Sequence, residues 1–137
     1  MTYLLDSVIL IDHFNGVEAA TRYLKENARE IAISVITRAE VLTGFSLERE
    51  TLAKALLDRI PHYPVTKDEA DLAASLRRQL RWKLPDALQA AVALHHRLKL
   101  VTRNTKGFQP GAAPFRRGSV YLGSIFIMKS INGPFSY

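Results

Sequence analysis

Short β-rich apolar runs alternate along this chain with segments of helical periodicity, and that alternation restricts the fold more than any other feature. Tyr3-Leu4-Leu5, Ile31 to Ile36, His62-Tyr63-Pro64-Val65 and Leu98 to Thr102 read as strands, the third as an edge strand because Pro64 has no N–H to donate. Between them lie helical stretches at about 7–14, 17–27, 37–45, 48–59, 67–80 and 85–96. Thr37 with Glu40 three residues on has the form of a capping box, and Leu52, Leu56 and Ile60 form an apolar stripe on the fourth helix. The helix opened by Pro85 carries Ala87, Leu88, Ala90, Ala91, Val92, Ala93 and Leu94, which leaves little polar surface and predicts tight packing by its neighbours. Strands and helices in this order predict an α/β fold of three layers, α/β/α, around a mostly parallel sheet. At 137 residues the chain reads as one domain spanning 1–137.

Composition narrows the classes further. Apolar residues make up 47% and charged residues 23%, the balance of a globular chain, and no apolar stretch is long enough to cross a bilayer. Asp6 and Asp12 interrupt the N-terminal apolar run, unlike a signal peptide, and the chain has no cysteine for disulfides, thiolate metal sites or thiol nucleophiles. A cytoplasmic location is expected. The net charge of +6 is unevenly spread. Residues 1–86 hold 12 basic and all 13 acidic side chains, while residues 87–137 hold 7 basic and none acidic. A basic C-terminal third is a candidate landing surface for a polyanion.

In a parallel sheet, ligands bind outside the carboxyl ends of the strands. Asp6 ends the first strand, Glu40 lies just beyond the second, Asp86 heads the apolar helix, and the last of the four strands empties into Arg103-Asn104. Carboxylates gathered in one cleft repel each other, and a hard divalent cation such as Mg²⁺ or Mn²⁺ removes that conflict. With no cysteine, and His13, His62, His95 and His96 away from the strand ends, zinc is not expected. Each acid also has an ordinary reading: Asp6 as a helix cap, Glu40 as half of the capping box, Asp86 as a first-turn acid on a helix dipole. Asp12 reads as a solvated or structural acid. His95 and His96 read as half-exposed residues, and Trp82 as a core or edge aromatic, with base stacking beside Arg81 and Lys83 as the alternative.

LLDSVILID at 4–12, ITRAEVLTG at 36–44, LPDALQAAVAL at 84–94 and LVTRNTKGF at 100–108 resemble, in order and spacing, the motifs of PIN-domain ribonucleases, above all the VapC-type toxins of toxin–antitoxin pairs. The resemblance runs over about residues 2–110. It implies that Asp6, Glu40 and Asp86 hold Mg²⁺ or Mn²⁺ for endonucleolytic RNA cleavage, that Ser7 and Thr102 line the site, and that the protein is a homodimer with a small antitoxin partner and no membrane association. Arg103, Lys106, Arg116 and Arg117 are then expected to grip the flanking phosphates. Asn104 and Gly107 stand where many members carry a fourth acid. Asn104 can orient a phosphate or a water but adds no charge. Residues 111–137 form a longer tail than the family's, with a last strand expected within Ser119–Met128. Two other readings remain: a PIN-like module that binds RNA or protein without cutting, and an aspartyl-phosphate domain, for which Asp6-Ser7-Val8 lacks the second acid.

Overall fold

The computed structural model describes residues 1–103 and 125–127. Five strands form one sheet in the order β3-β2-β1-β4-β5, and every pairing is parallel. They are β1 (Tyr3–Leu5), β2 (Ile31–Ser34), β3 (His62–Tyr63), β4 (Lys99–Thr102) and β5 (Ile125–Ile127). Six helices connect them: α1 (Ser7–Phe14), α2 (Glu18–Glu26), α3 (Val35–Thr43), α4 (Glu50–Leu57), α5 (Lys67–Leu80) and α6 (Leu84–His95). The chain steps from β1 outward through β2 to β3, then returns to lay β4 on the other side of β1. The sheet therefore reverses direction beside β1.

Side chains on a strand alternate between faces, and the register turns that alternation into two cores. Leu4 lies across from Ala32 and Leu100, and these three pack against Ala73 and Leu76 of α5 and the alanines of α6. Leu5, Ile31, Ile33 and Val101 face the other way, onto Ile9 and Leu10 of α1, Tyr23 and Leu24 of α2, Val41 of α3 and Leu57 of α4. Helices thus cover both faces, giving the expected three layers. On the α6 side the approach is close, since Ala87, Ala90, Ala91 and Ala93 are all essentially inaccessible.

The ends of the elements correct the sequence reading in three places. β2 stops at Ser34, not Ile36, because the Ser34 hydroxyl accepts a hydrogen bond from the Thr37 amide at 3.2 Å and caps α3. Thr37 is therefore an interior residue, and Glu40 is not the second half of a capping box. On α4 the buried residues are Ala53 and Leu57, while Leu52 is 71% exposed, so the stripe 52–56–60 is turned partly to solvent. The capping box belongs to α5, where the Thr66 amide and hydroxyl both donate to the Glu69 carboxylate.

Glu69 is buried beside His96 (Nε2 to Oε1 3.3 Å) and His95 (Nδ1 to Oε1 3.9 Å), joining the start of α5 to the end of α6. Hydrogen bonding from Thr66, more than any other influence, holds its carboxyl below the ordinary glutamate value. Trp82 is buried in the α5–α6 core. β5 falls inside the stretch Ser119–Met128 where a last strand is expected. The tail reading for 111–137 otherwise lies outside the described residues.

The alanine-lined face of α6 sets a clear expectation. Ala91→Leu adds three carbons where no space exists and should cost about 1–3 kcal/mol. A urea midpoint unchanged from wild type would show that the layer is looser than described.

Candidate active site

The point where the sheet reverses is where Asp6 stands. Its amide donates to the Val101 carbonyl at 2.9 Å, which continues the β1–β4 pairing one residue past the end of β1. Its carboxylate then serves two neighbours: Oδ1 accepts from the Ser7 amide at 2.9 Å as the N-cap of α1, and Oδ2 accepts from the Thr102 hydroxyl at 2.7 Å. The capping reading of Asp6 and its placement at the mouth of the sheet are thus both correct. Asp6 is 5% exposed and Thr102 wholly buried.

The other two acids arrive from different helices. Asp86 lies in the first turn of α6, which a proline at its start sets in place, and is half-buried. Glu40 projects from the second turn of α3 at the exposed rim. Burial and mutual charge couple the three acids. Burial raises the Asp6 carboxyl above its ordinary value against the hydrogen bonds from Thr102, Ser7 and Gln89. Burial also raises Glu40, and the charges of Asp6 and Asp86 push it further. Asp86 is raised by burial and by Asp6, with Lys83 pulling the other way. Hydrogen bonding from the Ser7 side chain lowers both the Asp6 and the Glu40 carboxyl, against the effect of burial.

Beneath the acids lies a buried polar network that the sequence reading passed over. Gln89, on α6, accepts from the Ser34 hydroxyl at 2.6 Å and donates to the Thr37 hydroxyl, which itself donates to the Leu5 carbonyl at 3.0 Å. Gln89 is 1% exposed, and its side chain also hydrogen-bonds Asp6. One amide thereby ties α6, which carries Asp86, to the start of α3, which carries Glu40, and to the end of β1. A signal was present in the sequence, because Gln89 is the only polar residue between Ala87 and Leu94.

Asp12 is buried and structural, not solvated. Arg103 grips it with two hydrogen bonds, Nε to Oδ2 at 2.7 Å and NH2 to Oδ1 at 2.9 Å. Arg103 therefore ties the chain just past β4 to α1, with its side chain 38% exposed. Asn104, Lys106, Arg116 and Arg117, and the turn with Gly107, lie outside the described residues.

The sequence comparison is decisive on kinship. The PIN-domain profile matches residues 3–110, which includes every strand from β1 to β4 and all three acids. The chain belongs to the PIN-domain family. It is 32% identical over 113 residues to ribonuclease VapC19 of Mycobacterium tuberculosis, covering 77% of this chain and 90% of that one. Its fold matches a toxin–antitoxin complex from Klebsiella pneumoniae with a TM-score of 0.73 and 34% identity, over 85% of this chain and 100% of that chain. It also matches VapBC2 of Rickettsia felis, solved bound to a promoter DNA fragment, with a TM-score of 0.68 and 26% identity over 79% and 91% of the two chains. The resemblance to VapC-type proteins read from the motifs is correct.

The donors of this PIN domain are hard oxygens that repel one another, the set that suits Mg²⁺ or Mn²⁺. Among the described residues, no three Asp, Glu or His side chains are close enough together to ligate one ion on their own. The donor chemistry fits a dication, with water filling positions that the carboxylates do not reach.

A stability measurement follows from the raised carboxyls. Asp86 has a folded pKa above its unfolded one, so its favourable contribution is present below the ordinary value near 4 and lost as pH rises through the folded value. In EDTA, Asp86→Asn should melt higher than wild type at neutral pH, with the gap closing as pH falls toward about 4. A variant that melts lower at neutral pH would contradict the repulsion described.

Proposed function

We propose that this PIN domain is a Mg²⁺- or Mn²⁺-dependent RNA endonuclease, the toxin of a toxin–antitoxin pair, acting in the cytoplasm as a homodimer restrained by a small antitoxin. The observation that carries this is the meeting of Asp6, Glu40 and Asp86 where the sheet reverses, each carboxyl raised by burial and two of them raised further by their neighbours. The names of the relatives support the rest, since VapC19 is called a ribonuclease and the Klebsiella structure is a toxin–antitoxin complex. No described helix is long and apolar enough to cross a membrane.

Asp6, Glu40 and Asp86 would hold the ion, directly or through water, and Asn104 adds a polar group without charge. When bound, the ion activates water for in-line attack on phosphorus and neutralises charge that builds on the phosphate oxygens. The chain's own groups do the positioning. Thr102 and the Ser7 amide fix the two oxygens of Asp6, so the deepest carboxylate has one orientation. Glu40 is the most accessible of the three acids and has the freest approach to a water, whose proton its carboxylate oxygen can take.

The alternative, a PIN-like module that binds without cutting, draws on the lack of a closed three-carboxylate cluster and on Asn104 and Gly107 replacing acids. One assay separates the two. Incubated with single-stranded RNA and Mn²⁺, the protein should cleave internally, EDTA should stop it, and Asp86→Asn should slow it at least about a hundredfold. RNA left intact by the wild-type protein at saturating Mn²⁺ would favour the binding module.

A further inference from the structure

The C-terminal turn of α5 and the corner leading into α6 read Arg77-Arg78-Gln79-Leu80-Arg81-Trp82-Lys83, with no acid among them. Arg77, Arg78, Arg81 and Lys83 are all exposed, while Trp82 between them is buried. Three of these arginines, with Ala74 and Trp82, line an open concavity of about 480 Å³. Arg22, Arg38, Lys54 and Arg103 each pair with a carboxylate, but among the described residues none pairs with Arg77, Arg78 or Arg81.

The cluster carries two costs. Arg77, Arg78 and Arg81 bring three like charges to one concavity, where they repel. Arg81 also ends α5 in the left-handed region, φ 57°, where glycine or asparagine is the unstrained choice. A helix C-terminus favours nearby cations, yet that attraction neither calls for three in one concavity nor selects arginine at a left-handed position. A polyanion relieves the first cost and gives the second a purpose. Arg77 is already oriented, because its Nε donates to the Trp82 carbonyl at 3.2 Å, and among the described residues its two terminal nitrogens have no hydrogen-bond partner.

The place of the cluster indicates which polyanion. Lys83 is the N-cap residue of α6, and Asp86 lies in the first turn of that helix. The corner that carries the arginines therefore runs directly into the helix end that carries Asp86, and a strand lying along it passes from one to the other. Guanidinium groups suit phosphate because they offer paired N–H donors in one plane.

We propose that Arg77, Arg78 and Arg81, over the buried Trp82, form a phosphate-binding subsite that grips the RNA backbone flanking the bond at Asp6, Glu40 and Asp86. This rests on the RNA-cleaving reading above, and places a phosphate grip at the α5–α6 corner.

The test uses the full chain with Asp86→Asn so that RNA is not consumed, and measures binding of a labelled single-stranded oligoribonucleotide over a series of salt concentrations. Adding Arg77→Gln, Arg78→Gln and Arg81→Gln should weaken binding at least about tenfold and reduce the slope of log K against log salt by about 2, since each phosphate contact on a single strand contributes about 0.7. Removing the same charge from Arg22, Arg29 and Arg49 should leave both within about twofold. A second variant, Arg78→Gln with Arg81→Gly, keeps the Arg77 bond to Trp82 and relieves the left-handed strain. It should melt no lower than the parent and still show most of that reduction in slope. Unchanged affinity and slope in the arginine variants, or an equal loss in the control, would overturn the subsite while the RNA reading stands. Displacement of the RNA by poly-glutamate only when the three arginines are present would assign the cluster to an acidic protein segment instead. If the wild-type chain neither binds nor cleaves RNA, the RNA reading itself fails, and the subsite with it.

Discussion

The hydrogen bond from Thr102 to Asp6 spans the point where the sheet reverses, and most of the molecule is arranged around it. β1 and β4 are distant in sequence and adjacent in space, the kind of switch point beside which ligands bind in open parallel sheets. The last residue of β4 then fixes the orientation of the acid just past β1. A carboxylate this enclosed is costly to keep ionised, and it is kept by hydrogen bonds that meet both of its oxygens. Moving either strand by one residue would turn Thr102 or Asp6 to the opposite face and dissolve the site.

Gln89 carries that arrangement outward. A buried amide is stable only when its donors and acceptor are satisfied, and here the partners are Ser34, Thr37 and Asp6. Those residues belong to the elements that present the three acids. The spacing of the site is therefore determined in the polar layer beneath it more than in the acids themselves, whose charges push them apart. The small side chains of α6 serve the same end, because a helix lined with alanine can approach the sheet closely enough for Gln89 to reach across.

Much of this was legible in the sequence. β-branched and leucine-rich runs of three to six residues, separated by amphipathic helices, prescribe a covered parallel sheet, and Asp6, Glu40 and Asp86 could be placed at its mouth from order alone. The failures have physical reasons. Ser34 and Thr37 are both good caps, and local pattern could not tell which one the β2 pairing would leave at the helix start. Leu52 fits a helical stripe, but the stripe that is buried is set by which side of α4 meets α3, a tertiary choice. Asp12 reads in the sequence as either solvated or structural, and only the fold decides, because its partner, Arg103, is 91 residues away. Gln89 was hidden by its apolar surroundings, although a lone amide on an otherwise greasy helix is itself a sign of buried hydrogen bonding. The unbalanced charge of the C-terminal third drew attention away from Arg77 to Lys83, a denser run in a segment whose net charge is nearly neutral.

The short outer strand has a consequence for how this protein can meet others. β3 pairs with β2 over only two residues, and Pro64 follows at once with no amide hydrogen to offer. A neighbouring chain trying to add itself to the sheet along that margin finds almost no backbone to zip onto. Recognition on this flank falls to side chains and to the grooves between helices, where sequence can specify the partner. Along that margin the sheet is thereby spared the indiscriminate edge-to-edge stacking to which open parallel sheets are prone.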